Sequence, residues 1–165
     1  MRRPLHPRFA CFFILLFNIF LVPSLALAQR ANGLVVSDSP LATKAGMEML
    51  DRGGNAIDAA IATAYALAVV DQASSGIGGG GFMIIYETKD RRAHALDFRE
   101  TAPEGARKEL YIKEGKAVPS LSLTGALAVA VPGEVAGLTE AHRRFGSMAM
   151  QVLMAPAIRL ASNGF

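Results

Sequence analysis

The sequence has a single cysteine and no tryptophan. The cysteine, Cys11, lies in the amino-terminal apolar segment, and the chain beyond it has no thiol for a disulfide, a metal thiolate or nucleophilic catalysis. The three histidines, His6, His94 and His142, are too scattered along the chain to predict a metal site. We therefore expect neither cysteine chemistry nor a bound metal.

The amino-terminal segment has the pattern of a secretory signal peptide. Residues 1–8 carry three arginines and no acid, and residues 9–22 form an apolar run. This run is shorter than the roughly 20 residues that a membrane-spanning helix needs, and small residues fit a cleavage site after Ala28. We predict that residues 1–28 are a signal peptide, that residues 29–165 form the mature chain, and that the protein is exported to the periplasm or secreted.

An excess of charge is also lacking once this leader is set aside. The whole chain has 17 basic and 14 acidic residues, and the excess lies in the three leader arginines. The sequence pI of about 9.3 is therefore no indication of nucleic acid or anionic lipid as a partner. Apolar residues make up 52% of the chain and no low-complexity tract is present, so that a folded domain is expected rather than disorder.

Periodicity and capping signals predict an α+β fold with apolar helices and strands in layers. Ser39-Pro40 is typical of a helix start, Gly53-Gly54 of a helix end, and Asn55 of the cap of a second helix. That second helix is apolar on nearly every face, which is typical of a buried helix. The predicted helices are residues 40–52, 56–70, 134–145 and 151–161, and the predicted strands are a buried strand at residues 33–37 and an antiparallel hairpin at residues 82–87 and 92–99.

A glycine-rich run, Gly76–Gly81, follows the second predicted helix. Its G-x-G-x-x-G spacing is that of a dinucleotide site, but such a site needs the glycines after a strand and before a helix. Here the order is reversed, so no nucleotide cofactor is expected. The adjacent glycines allow positive φ and close approach of backbone to backbone or to a ligand, and tight packing is the interpretation that we favour.

A second candidate site is Asp97-Phe98-Arg99-Glu100, at the end of the predicted hairpin. A guanidinium group can hold a carboxylate by two parallel hydrogen bonds. From the residues alone, a structural salt bridge of Arg99 with Asp97 or Glu100 is favoured, and a surface pair of that kind contributes only about 0–1 kcal/mol. No nearby histidine or lysine is spaced to activate the candidate hydroxyls, which are Ser74, Ser75, Ser120, Ser122 and Thr124, and only the fold could bring in His94 or Lys44. No catalytic residue is predicted in the chain.

Four short segments form an ordered set whose members are each weak signals alone. They are D-R-G-G-N-A-I-D-A-A at residues 51–60, G-G-G-G-F-M at residues 78–83, D-F-R-E-T-A-P at residues 97–103 and V-P-G-E-V-A-G at residues 131–137. In this order, over residues 32–165, they resemble the amino-terminal part of the large subunit of gamma-glutamyltransferases.

The resemblance implies a partial N-terminal-nucleophile hydrolase fold, in which two sheets lie between helical layers as an α/β/β/α sandwich. In that family the precursor cuts itself and exposes a threonine at the start of a small subunit. The threonine attacks a gamma-glutamyl carbonyl, with its own amine as base. Water resolves the acyl-enzyme in glutathione hydrolysis, and an amino acid or peptide amine resolves it in transpeptidation. The implied partners are these substrates and the small subunit, and no cofactor is implied.

The resemblance carries one substrate residue onto this chain. Arg99 is expected to hold the α-carboxylate of the glutamyl group, with Asp97 and Glu100 as supporting residues that orient its guanidinium. The nucleophile belongs to the small subunit, beyond Phe165, so that the chain alone is expected to be inactive and to expose apolar surface. Two alternatives stay open: a cephalosporin or glutaryl acylase of the same family, and a non-catalytic fragment or half of a split enzyme that docks through its open sheet edges.

Overall fold

A computed structural model describes residues 33–165, and the predicted signal peptide lies outside the described residues. Two helices come first, two small antiparallel hairpins follow, and two further helices end the described chain. The helices are α1 (Pro40–Asp51), α2 (Ala56–Val70), α3 (Glu134–Phe145) and α4 (Met150–Asn163), the strands are β1 (Phe82–Glu87), β2 (Arg92–Asp97), β3 (Ile112–Lys113) and β4 (Lys116–Ala117), and short 3-10 turns occupy Lys108–Tyr111, Pro119–Ser122 and Ala126–Ala128.

Helix α2 is the centre of the packing, because α1, α3 and α4 all contact it. Most residues between Ala59 and Ala66 are buried, and the removal of this apolar surface from water stabilises the fold by about 25 cal/mol per Å². Helix α1 comes closest at Gly46, where any side chain would meet Thr63. The prediction that the second helix is buried is confirmed.

The helix ends are formed by the residues that the sequence indicates. Gly53 takes a φ of 86°, and Gly53 and Gly54 donate their N–H groups to the last carbonyls of α1 in a Schellman motif. The side chain of Asn55 accepts two N–H groups at the start of α2, and Asp58 completes a capping box. The bounds of α1 to α4 therefore agree with the prediction within one or two residues.

Asp58 has a second role that the capping pattern does not show. Its side chain is fully buried, at 0% exposure, and it accepts backbone N–H groups of Asn55 at 2.9 Å, Ser147 at 3.0 Å and Met148 at 3.2 Å, as well as the Ser147 hydroxyl. Burial raises the pKa of Asp58, but these hydrogen bonds outweigh burial and hold the pKa below its ordinary value of 3.8. Asp58 therefore ties the start of α2 to the segment that joins α3 to α4.

Residues 33–37 differ from the prediction of a buried strand. They are extended, but within residues 33–165 they pair with no strand. Leu34 and Val36 are 85% and 82% exposed, whereas Val35 contacts α1. The prediction was wrong because an extended segment presents alternate residues to opposite sides, and only one side has a neighbour here.

The β1–β2 hairpin pairs Phe82 with Asp97 at one end and Glu87 with Arg92 at the other. Strand β2 ends two residues earlier than predicted. One face of β1 leaves large apolar side chains exposed, at Phe82, Ile84 and Tyr86. Within the part of the chain that the structure describes, no helix is long and apolar enough to cross a membrane.

Replacing Asp58 by asparagine is expected to destabilise the protein by at least about 2 kcal/mol, because buried N–H donors lose their carboxylate acceptor. A depressed folded-state pKa means that this contribution is present above pH 3.8 and is lost as the pH falls through the folded-state value. Thermal unfolding of the complete protein at about pH 7 and about pH 3 measures both effects. The difference in stability between wild type and the Asp58 variant should be smaller at the lower pH.

Asp51→Asn is the matched control, because Asp51 is exposed and lies at the carboxyl end of α1. A negative charge is unfavourable there, so its removal should cost no stability. Equal losses in the two variants would contradict the role given to Asp58.

Candidate functional site

Arg99 lies just after β2, in a stretch of backbone held on both sides. Before it, Phe98 donates its N–H to the Gly81 carbonyl at 3.0 Å and accepts the Gly81 N–H at 3.4 Å. After it, the N–H of Thr101 donates to the Val131 carbonyl at 3.2 Å, and the Val131 N–H donates back at 2.8 Å. The backbone at Arg99 is therefore fixed by pairing with two separate segments.

A third segment, the start of α3, lies next to the backbone of Arg99. The Gly79 carbonyl accepts the N–H groups of Gly133 at 2.9 Å and of Glu134 at 3.0 Å. N–H groups at a helix start have no partner within the helix, and no side chain caps α3. The glycine run therefore takes the place of a capping side chain and holds the start of α3 beside Arg99.

Glycines make this approach possible because they leave room for backbone. A side chain at Gly80 would begin 3.0 Å from the Arg99 Cα, and one at Gly133 would begin 3.1 Å from the Arg99 carbonyl oxygen. A side chain at Gly137 would meet the ring of Phe98. The prediction of tight packing is confirmed at Gly80 and Gly81, whereas a Cβ at Gly76 or Gly78 would meet nothing within 4 Å. The positive φ angles that glycine allows are not used here, because no residue of the run has one.

The guanidinium group of Arg99 is exposed, and no acid of residues 33–165 forms an ion pair with it. The salt bridge favoured from the residues alone is therefore not formed. The Asp97 carboxylate accepts the backbone N–H of Arg99 at 3.1 Å instead, and Glu100 faces a neighbouring cleft. Asp97 therefore contacts the backbone of Arg99, and within residues 33–165 neither acid forms an ion pair with its guanidinium. Their role in orienting the guanidinium stays a prediction.

The cleft beside Arg99 has a volume of about 450 Å³ and two acids in its wall, Glu100 and Glu134. Burial raises the pKa of Glu134, and the charge of Glu100 raises it further. Burial also raises the pKa of the Tyr65 hydroxyl, as does the charge of Glu134. The rest of the wall consists of residues 72–76 and 78–80.

Sequence reasoning missed Glu134 as a site residue. Its only local signal is an acid at the first position of a helix after Pro132-Gly133, which by itself indicates a favourable interaction with the helix dipole. What brings Glu134 to the cleft is the contact of α3 with Gly79, and that contact is distant in sequence.

The histidines of the described residues have local partners. The Nε2 atom of His94 lies 2.6 Å from a Glu87 carboxylate oxygen, and that of His142 lies 2.7 Å from the Met148 carbonyl. Over residues 33–165, no three His, Asp or Glu side chains are grouped so that they could hold a metal ion.

A sequence model of the family described as Gamma-glutamyltranspeptidase matches residues 42–165. The chain belongs to this family. The glutathione hydrolase proenzyme of Pseudomonas sp. (strain A14) is 48% identical over 151 residues, which are 91% of this chain and 26% of that protein. The gamma-glutamyltranspeptidase of Helicobacter pylori superposes with a TM-score of 0.77 and 47% identity, over 81% of this chain and 38% of that chain.

A cephalosporin acylase from Bacillus halodurans is more distant, with a TM-score of 0.66 and 33% identity over 77% of this chain and 23% of that chain. The chain spans about a quarter of the length of the curated relatives it matches. The resemblance to the amino-terminal part of a gamma-glutamyltransferase large subunit is confirmed, and with it the mixed α and β fold as part of an N-terminal-nucleophile hydrolase.

Replacing Glu100 by glutamine should lower the pKa of Glu134 towards its ordinary value of 4.5, because it removes the neighbouring charge and leaves burial in place. A carbon-13 titration of glutamate carboxyl groups in the complete protein measures the shift. Glu104→Gln is the control, since Glu104 is an exposed loop residue with no part in the Glu134 shift. An unmoved Glu134 pKa in the Glu100 variant would show that the two acids do not interact.

Proposed function

We propose that the complete protein catalyses gamma-glutamyl acyl transfer and glutathione hydrolysis, and that this chain supplies the arginine that holds the α-carboxylate of the glutamyl group. The observation that carries the proposal is the state of Arg99, whose exposed guanidinium is free of ion pairs in residues 33–165 while its backbone is fixed. Relatives named glutathione hydrolase and gamma-glutamyltranspeptidase support the reaction class.

A free guanidinium on a fixed backbone suits carboxylate binding for two reasons. A hydrogen bond to a charged group contributes roughly 1.5–3 kcal/mol, and a bidentate pair also sets orientation. Within residues 33–165 no ion pair of Arg99 has to break before it meets a ligand, so that no binding energy is spent on separating those charges. The backbone pairing on both sides keeps the Cα of Arg99 in place before the substrate arrives.

The reaction divides between this chain and the proposed small subunit. The threonine hydroxyl oxygen forms a bond to the gamma-carbonyl carbon, the amide C–N bond breaks, and the amine leaves with the proton taken from the hydroxyl. Water or an amino acid amine then attacks the ester and releases glutamate or a new gamma-glutamyl compound. Arg99 holds the far end of the glutamyl group through both steps, so that its contribution is binding and orientation. The proposal requires no cofactor.

The predicted signal peptide at residues 1–28 supports export, and we place the proposed activity in the periplasm or outside the cell. Extracellular glutathione and other gamma-glutamyl compounds are then the donors, and amino acids, peptides or water are the acceptors.

A cephalosporin or glutaryl acylase is the second candidate, because a solved cephalosporin acylase shares this fold at 33% identity. A glutaryl group keeps the terminal carboxylate of a glutamyl group and lacks the α-amino group. Comparison of glutaryl and gamma-glutamyl anilides with the complete enzyme therefore separates the two candidates. Faster turnover of the glutaryl compound would favour the acylase.

Arg99→Lys in the complete enzyme should lower kcat/KM for a gamma-glutamyl anilide by at least about tenfold, or roughly 1.4 kcal/mol, because a lysine cannot form the bidentate pair. Self-cleavage should continue, since Arg99 takes no part in it. Arg107→Lys is the control, because Arg107 is another exposed arginine, on the loop that follows. An unchanged kcat/KM in the Arg99 variant would remove Arg99 from the site.

A further inference from the structure

Phe98 lies between β2 and Arg99 and is held at both its backbone and its side chain. Its carbonyl accepts the Gly81 N–H and faces Gly133, where a side chain would begin 2.7 Å from the carbonyl carbon. Its ring lies against Gly137, inside α3, and a side chain at Gly81 would begin 3.2 Å from the ring. Three glycines, Gly81, Gly133 and Gly137, therefore form the site in which Phe98 packs, which we call its seat.

Helix propensity does not explain a glycine at position 137. In the interior of a helix, glycine costs about 0.8–1.0 kcal/mol relative to alanine. Helix α3 has its own buried anchors, Leu138 and Ala141, and its start is held by Gly79. The requirement for glycine at position 137 comes from its contact with Phe98, because the Cβ of an alanine would overlap the ring.

The seat acts directly on Arg99, because the Phe98 carbonyl belongs to the peptide unit that joins the two residues. That unit is planar and rigid, so a shift of the carbonyl turns the N–Cα bond of Arg99. A displacement of about 1 Å at a site that orients a substrate can cost about 100-fold in rate. A guanidinium fork is sensitive to such a shift, since both of its hydrogen bonds must form together.

We propose that Phe98, seated by Gly133 and Gly137, is a positioning residue that aims Arg99 at the glutamyl α-carboxylate. This inference rests on the proposed function. In this proposal none of the three residues contacts the substrate, and their effect passes through Arg99. Their replacement should therefore weaken only ligands that have the α-carboxylate.

The test is competitive inhibition of the complete, self-cleaved enzyme by two compounds, L-glutamate and 4-aminobutyrate, which is glutamate without its α-carboxylate. Gly137→Ala should raise the Ki of glutamate at least about tenfold, and Phe98→Leu should raise it by a smaller factor. Both variants should leave the Ki of 4-aminobutyrate within about twofold of wild type. A general loss of packing would raise both inhibition constants together.

Gly105→Ala is the matched control, because Gly105 has open space where a Cβ would lie and has no positive φ. It should change neither constant. Arg99→Lys is measured beside it. If that variant leaves the Ki of glutamate unchanged, the proposed function fails.

If Arg99→Lys raises the Ki of glutamate while the Gly137 and Phe98 variants leave it unchanged, or raise both constants equally, the positioning role is wrong and the proposed function stands. Should Gly137→Ala prevent self-cleavage, Phe98→Leu decides alone, since it adds no atom where a Cβ would overlap a neighbour.

Discussion

The site depends on one close crossing of backbone, where the Gly79 carbonyl meets the N–H groups of Gly133 and Glu134. Each such hydrogen bond contributes only about 0.5–1.5 kcal/mol net, so the importance of the contact is geometric. It brings the glycine run and the start of α3 to the same side of Phe98 and Arg99. Only glycine fits at positions 80 and 133, because a Cβ there would overlap the backbone of Phe98.

The far end of α3 is held as firmly as its start, and this connects the site to the core. The side chain of Asn55 donates to the Phe145 carbonyl at 2.7 Å, and Asp58 accepts the N–H groups of Ser147 and Met148. The donor, Asn55, and the acceptor, Asp58, both lie at the start of α2, the most buried helix. Helix α3 is thus fixed to the glycine run at one end and to the core at the other. Both attachments help to fix the backbone at Arg99.

The parts of this fold that sequence reasoning found are those with local causes. Ser39-Pro40, Gly53-Gly54 and Asn55 determine helix ends through their own backbone and capping preferences, and α1 and α2 begin where they indicate. The burial of residues 33–37 depends on a neighbouring strand, which is a non-local property and was mispredicted. Arg99 was predicted as a site residue from an ordered set of motifs, and that role stays a prediction. Glu134 was not predicted, because only the folded chain brings it to the cleft.

The contacts that fix Arg99 all come from residues 79–137, although the chain spans about a quarter of its relatives' length. The exposed apolar face at Phe82, Ile84 and Tyr86 lies on the preceding strand, and none of those side chains takes part in the contacts that hold Arg99. Covering that face therefore need not move the guanidinium. The backbone at Arg99 is therefore set by neighbouring segments of the chain itself, so that under the proposed function the segment bearing the nucleophile is placed relative to Arg99.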